Sequence, residues 1–468
     1  MFGDKDNIAA IATPPGKGGI GIIRISGPDA LPLAASLFSK SADPEKKGMK
    51  PGDFISHRMY HGYIRTAGGR MVDEVLLVCM KSPRSYTCED VVEIQAHSGP
   101  AVLRKILELL MAKGVRLAEP GEFTRRAFLN GRIDLTRAEA VMDIIEAGSA
   151  DASEAAAAQV RGDLKQQIEM IREKLLQIQS ETAAAIDFPE DTGEEIRTDR
   201  ILKEIKEHVC PPLETLLQRY EDAHVLREGL RLTIAGKPNV GKSSLMNRLL
   251  RKERAIVTPV PGTTRDMIEE TLLIRGISIV LTDTAGVHDS DDPVEKIGIE
   301  RSRERIQQAD LILFMTDSGS PVTKEDHAVF SAIGSKPLIW IRNKSDLKNA
   351  GAEAEIPKAW AHLPRITISA LQNRGTDKLR DLIAETVLRS SGKEKAAGTV
   401  IPNLRHKQAL EKSLTAVKTA VEGMENELPF ELISIDLQDA LDFLGEIIGL
   451  TVKEDVLDRI FSNFCIGK

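Results

Sequence analysis

Through the middle of the chain, short apolar runs alternate with polar, glycine-bearing breaks. Leu230, Leu232, Ile234 and Ala235 read as a buried strand, and a helix is expected from Ser243 to Leu250. Residues 277–281 and 338–341 repeat the apolar run, and a fourth precedes Ser369. Strands feeding helices in this way predict an open α/β sheet. Residues 1–135 have a different texture, with strand-like runs at 8–12, 21–27 and 75–78 separated by Gly/Pro turns. Between 100 and 110, Leu103, Ile106, Leu107 and Leu110 share one helical face, so this part is an expected α+β domain. From Thr136 to about Ile186 there is no proline, and Leu164, Ile168, Ile171, Leu175 and Ile178 recur at helical spacing. The polar face of that helix is acidic as often as basic, which favours packing into a core over lying on a membrane.

Asp187-Phe188-Pro189 ends this run, and a further helical stretch is expected over 194–227. After Leu388, residues 389–395 read as a surface linker, followed by helices over 410–421, 432–448 and 452–461. Apolar stripes on both flanks of the α/β segment predict a single all-α bundle into which that segment is inserted. The expected organisation is therefore 1–135, α+β; 136–227, helical; 228–390, α/β; and 391–468, helical.

The first strand–helix junction carries Gly236-x-x-x-x-Gly241-Lys242-Ser243. In such a loop glycines let successive backbone N–H groups curl around phosphate oxygens, and the helix N-terminus adds partial positive charge. Asn239, Val240, Gly241, Lys242, Ser243 and Ser244 would line it, with Lys242 on the β- and γ-phosphates and Ser243 on Mg²⁺. An earlier glycine-rich segment at 13–19 lacks the Gly-Lys-Ser ending and reads as a structural turn. Asp283-Thr284-Ala285-Gly286 follows the second strand, where the Asp283 carboxylate can reach a Mg²⁺-bound water. Asn343-Lys344-Ser345-Asp346 follows the third. The Asp346 carboxylate can accept from guanine N1–H and the exocyclic amine, a donor pair that adenine lacks. Ser369-Ala370-Leu371 is placed to offer backbone N–H groups to the guanine carbonyl. All lie where strands end, the edge at which open α/β sheets bind ligands, so the expected ligand is GTP.

Between these motifs, Thr258, Thr263 and Thr264 occupy a Pro/Gly-containing loop, and Thr264 is the candidate for sensing the γ-phosphate through Mg²⁺. Val287 stands where many small GTPases carry a water-orienting glutamine, and Glu295 is a carboxylate at plausible reach for that task. No arginine finger is evident in cis. The side-chain oxygen of Asn239 could hold a monovalent cation that supplies the missing charge.

Composition narrows the setting. Apolar residues make up 42% and charged residues 28%, as in ordinary globular domains, while aromatics at 4% favour aliphatic helical packing. The four cysteines (Cys79, Cys88, Cys210 and Cys465) show no metal-ligand spacing and predict no disulfide framework. The N-terminus lacks a basic-then-apolar signal pattern, and no apolar run approaches the roughly 18 residues that would span a bilayer, so a cytoplasmic protein is expected. The net charge of −7 argues against broad non-specific nucleic-acid binding, and no compact Lys/Arg run marks a local basic face.

Several segments together resemble the tRNA-modification GTPase MnmE (TrmE) family. They are the stretch from Ala12 to Gly27 containing Arg24, the segment Tyr86 to Glu93, and Pro120 to Asn130. Gly262-Thr-Thr-Arg-Asp266 and the terminal Cys465-Ile-Gly-Lys468 complete the resemblance. It implies a homodimer formed through a folate-binding-like N-terminal domain, and a heterotetramer-like complex with a flavin-containing partner, MnmG (GidA). The implied reaction adds an aminomethyl-type group at C5 of the wobble uridine of certain tRNAs, with a tetrahydrofolate such as 5-formyltetrahydrofolate as one-carbon source. Matched positions imply folate contacts at Arg24, Glu93, Arg132 and Lys468. They imply K⁺ ligands at Asn239, Thr258, Val260 and Thr263, and Mg²⁺ ligands at Ser243 and Thr264. Glu295 matches the water-orienting glutamate, and Cys465 the functionally required cysteine; as a prenylation signal Cys465 fits poorly, because Lys468 is the last residue. Arg132 occupies a position that can be lysine elsewhere, which keeps the charge but alters the fork geometry. The alternative from another class is a ribosome-associated regulatory GTPase with no covalent role, which would be expected to carry a compact basic module.

Overall fold

The computed structural model describes residues 6–14, 16, 18–43, 49–147, 149–187, 194–253, 270–275, 277–281, 306–347, 356–390 and 400–468. The chain divides into two compact units, one formed by residues 1–142 with 442–468 and the other by residues 143–441.

In the first unit the strands are β1 (Ile8–Ile11), β2 (Ile20–Ser26), β3 (Phe38–Ser39), β4 (Met59–Arg65), β5 (Met71–Met80), β6 (Val91–His97) and β7 (Arg116–Leu117). They form a seven-stranded sheet in the order β3-β4-β5-β6-β2-β1-β7, antiparallel except for the β1–β7 pair. Helices α1 (Ala30–Ala35) and α2 (Pro100–Met111) supply apolar side chains to the core built on this sheet. Leu103, Ile106 and Leu110 are buried, as the period predicts; Leu107 is only partly so. Helices α3 (Glu122–Leu129) and α4 (Leu135–Glu146) follow.

The second unit begins with α5 (Ala150–Arg161), α6 (Asp163–Asp187), α7 (Glu194–His208) and α8 (Cys210–Glu228). The residues expected to form one run after Thr136 are thus three helices. Gly162, at φ +99°, caps α5 in a conformation that a side chain would resist, and the Ser149 side chain starts α5 by accepting from the Ala152 N–H. The stretch over 194–227 is likewise two helices: Pro211 lies at the start of α8, where its missing N–H costs nothing.

An α/β segment follows, with β8 (Leu230–Ala235), α9 (Lys242–Glu253), β9 (Glu270–Ile274), β10 (Ile277–Leu281), β11 (Leu311–Asp317), α10 (Lys324–Ile333), β12 (Leu338–Asn343), β13 (Arg365–Thr367) and α11 (Thr376–Ser390). The sheet order is β13-β12-β11-β8-β10-β9, parallel except for the β9–β10 hairpin. The chain crosses from β10 on one side of β8 to β11 on the other. That reversal of direction opens a crevice at the carboxyl ends of the strands. Leu232, Ile279, Leu313 and Ile341 lie in the buried core of this sheet.

Three helices complete the chain: α12 (Leu404–Glu425), α13 (Phe430–Ile448) and α14 (Glu454–Ser462). Ser413 donates to the Ala440 carbonyl at 3.1 Å, joining α12 to α13, and the Gln179 amide donates to Ser434 at 2.9 Å, joining α6 to α13. Elements before and after the α/β segment therefore touch within the second unit. Residues 442–468 belong to the first unit. There Phe461 and Phe464 pack with Leu135 and Ala138, and Gly121 sits so close to the Phe461 carbonyl, at 2.6 Å from an ideal Cβ, that no side chain fits. The linker expected over 389–395 lies mostly outside the described residues.

Candidate nucleotide-binding site

The turn from β8 into α9 is shaped by backbone demands that the sequence meets one by one. Gly236 lies against the Met315 backbone carbonyl, where a Cβ would collide. Gly241, at φ +99°, lies against the Asn343 amide with the same consequence. Asn239 takes a left-handed conformation at φ +61°, which asparagine tolerates better than most residues. Val240 is buried beneath the loop and anchors it to the sheet core. Ser243 and Ser244 are exposed in the first turn of α9, and neither side chain has a hydrogen-bond partner among the described residues.

Lys242 turns back over the loop. Its ammonium donates to the Gly236 carbonyl at 2.8 Å and the Lys237 carbonyl at 2.9 Å. The charge is thereby held at the mouth of a ring of backbone groups beside a helix N-terminus, an arrangement suited to anionic oxygens. Lys237 faces away from this mouth, reaching Asp326 at 3.0 Å and Thr323 at 3.1 Å. Thr323 and Asp326 form the capping box of α10, so one buried carboxylate starts a helix and tethers the loop.

Asn343 joins the motifs. It is 3% exposed; its amide donates to the Val240 carbonyl at 2.8 Å and its oxygen accepts from the Ala370 N–H at 2.9 Å. The loop after β8 and the loop after β13 are thus fixed to one buried side chain. Leaving such a group without partners costs about 1–3 kcal/mol. Asp346 accepts from the Ser369 hydroxyl at 2.5 Å, and Ser369 in turn accepts from the Gln372 N–H at 3.1 Å. Lys344, at φ +67°, pairs with Asp317 at 2.7 Å. Burial works against the charged Asp317 carboxylate, but Lys344 and the Gly319 N–H outweigh it and hold the group below the usual carboxylate range.

The structure therefore brings together Asn239, Val240, Gly241, Lys242, Ser243, Ser244, Asn343, Lys344, Asp346, Ser369, Ala370 and Leu371 at one edge of the sheet. Thr258, Val260, Thr263, Thr264, Asp283, Thr284, Ala285, Gly286 and Glu295 lie outside the described residues. The described residues thus include the loop after β8 and the loops after β12 and β13. Lys237, Asp317 and the Thr323–Asp326 box support the site and were not anticipated; only the Thr-x-x-Asp spacing ahead of an apolar run signalled one of them.

A second cluster lies in the first unit. Arg24 and Glu93 are cross-strand partners on β2 and β6; the guanidinium donates through Nε at 2.9 Å and approaches through Nη2 at 2.8 Å. Arg24 also donates to the Gly467 carbonyl at 3.0 Å, and its guanidinium lies 5.5 Å from the Tyr86 ring and 5.6 Å from that of Phe123. Arg132 covers the same Tyr86 ring at 4.9 Å and donates to the Tyr86 carbonyl at 2.8 Å. The terminal segment is locked in place, because an ideal Cβ on Gly467 would lie 2.8 Å from Ala12 Cα and the Ile11 carbonyl. Lys468 is drawn in with it. Burial, then repulsion from Arg24, push its ammonium below the usual lysine range despite the nearby Glu93 and Cys465. Arg24, Glu93, Arg132 and Lys468 therefore converge, and Tyr86 and Phe123 are the members that sequence reasoning missed. Cys465 is half-buried, and its carbonyl accepts from the Gly121 N–H at 3.5 Å. Among the described residues, no three His, Cys, Asp or Glu side chains form a metal cluster. No helix formed by them is long and apolar enough to cross a membrane.

Residues 7–132 match the family model described as GTP-binding protein TrmE N-terminus, and residues 135–465 match the MnmE helical domain. The chain is 46% identical over 468 residues to a tRNA modification GTPase MnmE of Clostridioides difficile (strain 630), covering all of both chains. It is 43% identical over 465 residues to that of Natranaerobius thermophilus, covering 99% of this chain and 100% of the relative. The identity is also 43% to that of Geobacter sulfurreducens, covering 99% of each.

Proposed function

The chain belongs to the tRNA modification GTPase MnmE family, and we propose that it couples GTP hydrolysis to modification at C5 of a tRNA wobble uridine. The observation that carries the GTP part is the Asn343 bridge, which fixes a phosphate cradle and a base-reading loop to one another. In this reading the loop N–H groups and Lys242 would hold the triphosphate, and Ser243 and Thr264 would hold the Mg²⁺ that neutralises its charge. Asp283 would serve a Mg²⁺-bound water, Glu295 would orient the attacking water, and Asp346 would select guanine. Asn239, with Thr258, Val260 and Thr263, would hold K⁺; its exposed side chain has no partner among the described residues, so its oxygen can turn toward a cation.

The family resemblance further suggests joint action with the flavin-containing partner MnmG on tRNA, and a homodimer formed through the N-terminal domain. A tetrahydrofolate is proposed at the Arg24 cluster. The residues fit such a ligand chemically: Glu93 suits the amino-pyrimidine edge of a pterin, Arg132 and Lys468 suit carboxylates, and Tyr86 and Phe123 offer faces for stacking. When bound, the folate supplies the one-carbon unit; Arg24 orients Glu93, and the terminal segment closes one wall. Cys465 lies on that segment and is the reading's candidate for a chemical role. A ribosome-bound regulator without covalent chemistry gains no support from the family models matched over 7–132 and 135–465.

Two experiments test these parts. Cells lacking this chain should lose the C5 substituent from wobble uridine in nucleoside analysis of their tRNA, and unchanged tRNA would remove the proposal. Calorimetric titration with 5-formyltetrahydrofolate should show binding that Arg24→Ala loses, because Glu93 is then left without its orienting partner. If the unmodified protein takes up no folate, the cluster has another purpose.

A further inference from the structure

The base-reading loop is held from a second side by a residue outside every motif above. Arg248 stands on α9, five residues after Ser243. Its guanidinium edge straddles two consecutive carbonyls, with Nε donating to Ala370 at 3.3 Å and Nη2 donating to Leu371 at 2.8 Å. These parallel donors on one edge match two neighbouring acceptors, a fork that lysine cannot reproduce. Four other backbone groups of the loop have partners. The Ala370 N–H goes to Asn343, the Gln372 N–H to the Ser369 hydroxyl, and the Ser369 N–H and carbonyl to Arg374 at 2.9 and 3.1 Å. The Leu371 N–H alone among these has no partner among the described residues.

In a trans peptide the C=O and N–H point in opposite directions. Arg248, by fixing the Ala370 carbonyl, therefore fixes the Leu371 N–H away from α9. We infer that Arg248 is a positioning residue for guanine recognition, holding the Ala370–Leu371 peptide so that the Leu371 N–H meets the 6-oxygen of the base. This rests on the guanine-nucleotide reading of the site. It also makes the phosphate-loop helix a direct mechanical support of the base-reading loop, by a route independent of Asn343.

The test is competition against a fluorescent GDP derivative on the full chain, with GDP and 2-aminopurine riboside 5′-diphosphate as competitors. The second ligand keeps the exocyclic amine but lacks the 6-oxygen and the N1–H that goes with it. Arg248→Met, which keeps the aliphatic stem, should weaken GDP by about tenfold and the 2-aminopurine ligand by less than about twofold, with an unchanged melting midpoint. Arg248→Lys should restore part of the GDP loss. An unchanged GDP affinity in Arg248→Met overturns the inference, as does an equal loss for both ligands, which would mean general damage to the pocket. If the unmodified protein binds no GDP, the guanine reading falls and this inference with it.

Discussion

Replacing Lys242 with alanine should lower affinity for a slowly hydrolysed GTP analogue by roughly 100-fold or more, while the protein melts close to its usual temperature. The ammonium is half-buried and held at the loop mouth by the Gly236 and Lys237 carbonyls. Bound triphosphate would receive charge-assisted hydrogen bonds from it, each worth about 1.5–3 kcal/mol. The fold loses little. The loop keeps its tether from Lys237 to Asp326 and its bond from Val240 to Asn343, neither of which involves Lys242. Titration calorimetry with a differential scanning control measures both quantities. An affinity within about fivefold of the unmodified protein would mean that the lysine is a structural clasp only.

The second large effect concerns the base. In Asp346→Asn the preference for GTP over ATP should fall by roughly 100-fold or more, and xanthosine triphosphate should gain. The Ser369 hydroxyl donates to Asp346 Oδ1, so asparagine would keep its oxygen there and place its amino group where Oδ2 stands. One of guanine's two donors then faces another donor, and a buried recognition site that leaves polar groups unpaired discriminates strongly. Xanthine carries a carbonyl at C2 in place of the amine and accepts from that same amino group. Ser369 is fully buried, so this orientation is held from behind.

What the sequence revealed and what it hid follow one physical division. Gly236, Gly241, Lys242, Asn343 and Asp346 were legible because each answers a local demand of backbone or ligand at fixed spacing. The strand at Leu311–Asp317 is as apolar as its neighbours, but no ligand-binding motif ends it and motif spacing does not mark it. It nevertheless lies at the centre of the sheet, and its end supplies Asp317 to Lys344. Arg248 could not have been found at all, since its carbonyl partners lie 122 and 123 residues away and nothing in α9 points to them. The break before α8 is marked by Cys210-Pro211-Pro212 and the cap of α5 by Gly162, but helical apolar spacing continues across both and hides them. In the first unit the pairing of Arg24 with Glu93 follows from strand register, which period-2 patterning does not fix without the partner strand. The seat of the terminal segment beside Arg24 depends on Gly467 fitting against Ala12, a contact between opposite ends of the chain.

The central claim is that one edge of this sheet grips a triphosphate and reads its base as guanine. Equilibrium displacement of a fluorescent guanine nucleotide by GTP, ATP and xanthosine triphosphate, run in parallel on the unmodified chain and on Asp346→Asn, tests it most directly. The unmodified chain should be displaced by GTP at concentrations where ATP and xanthosine triphosphate have no effect, and the variant should reverse the order of the two oxopurines. Equal displacement by GTP and ATP in the unmodified chain, or an unaltered order in the variant, would contradict it.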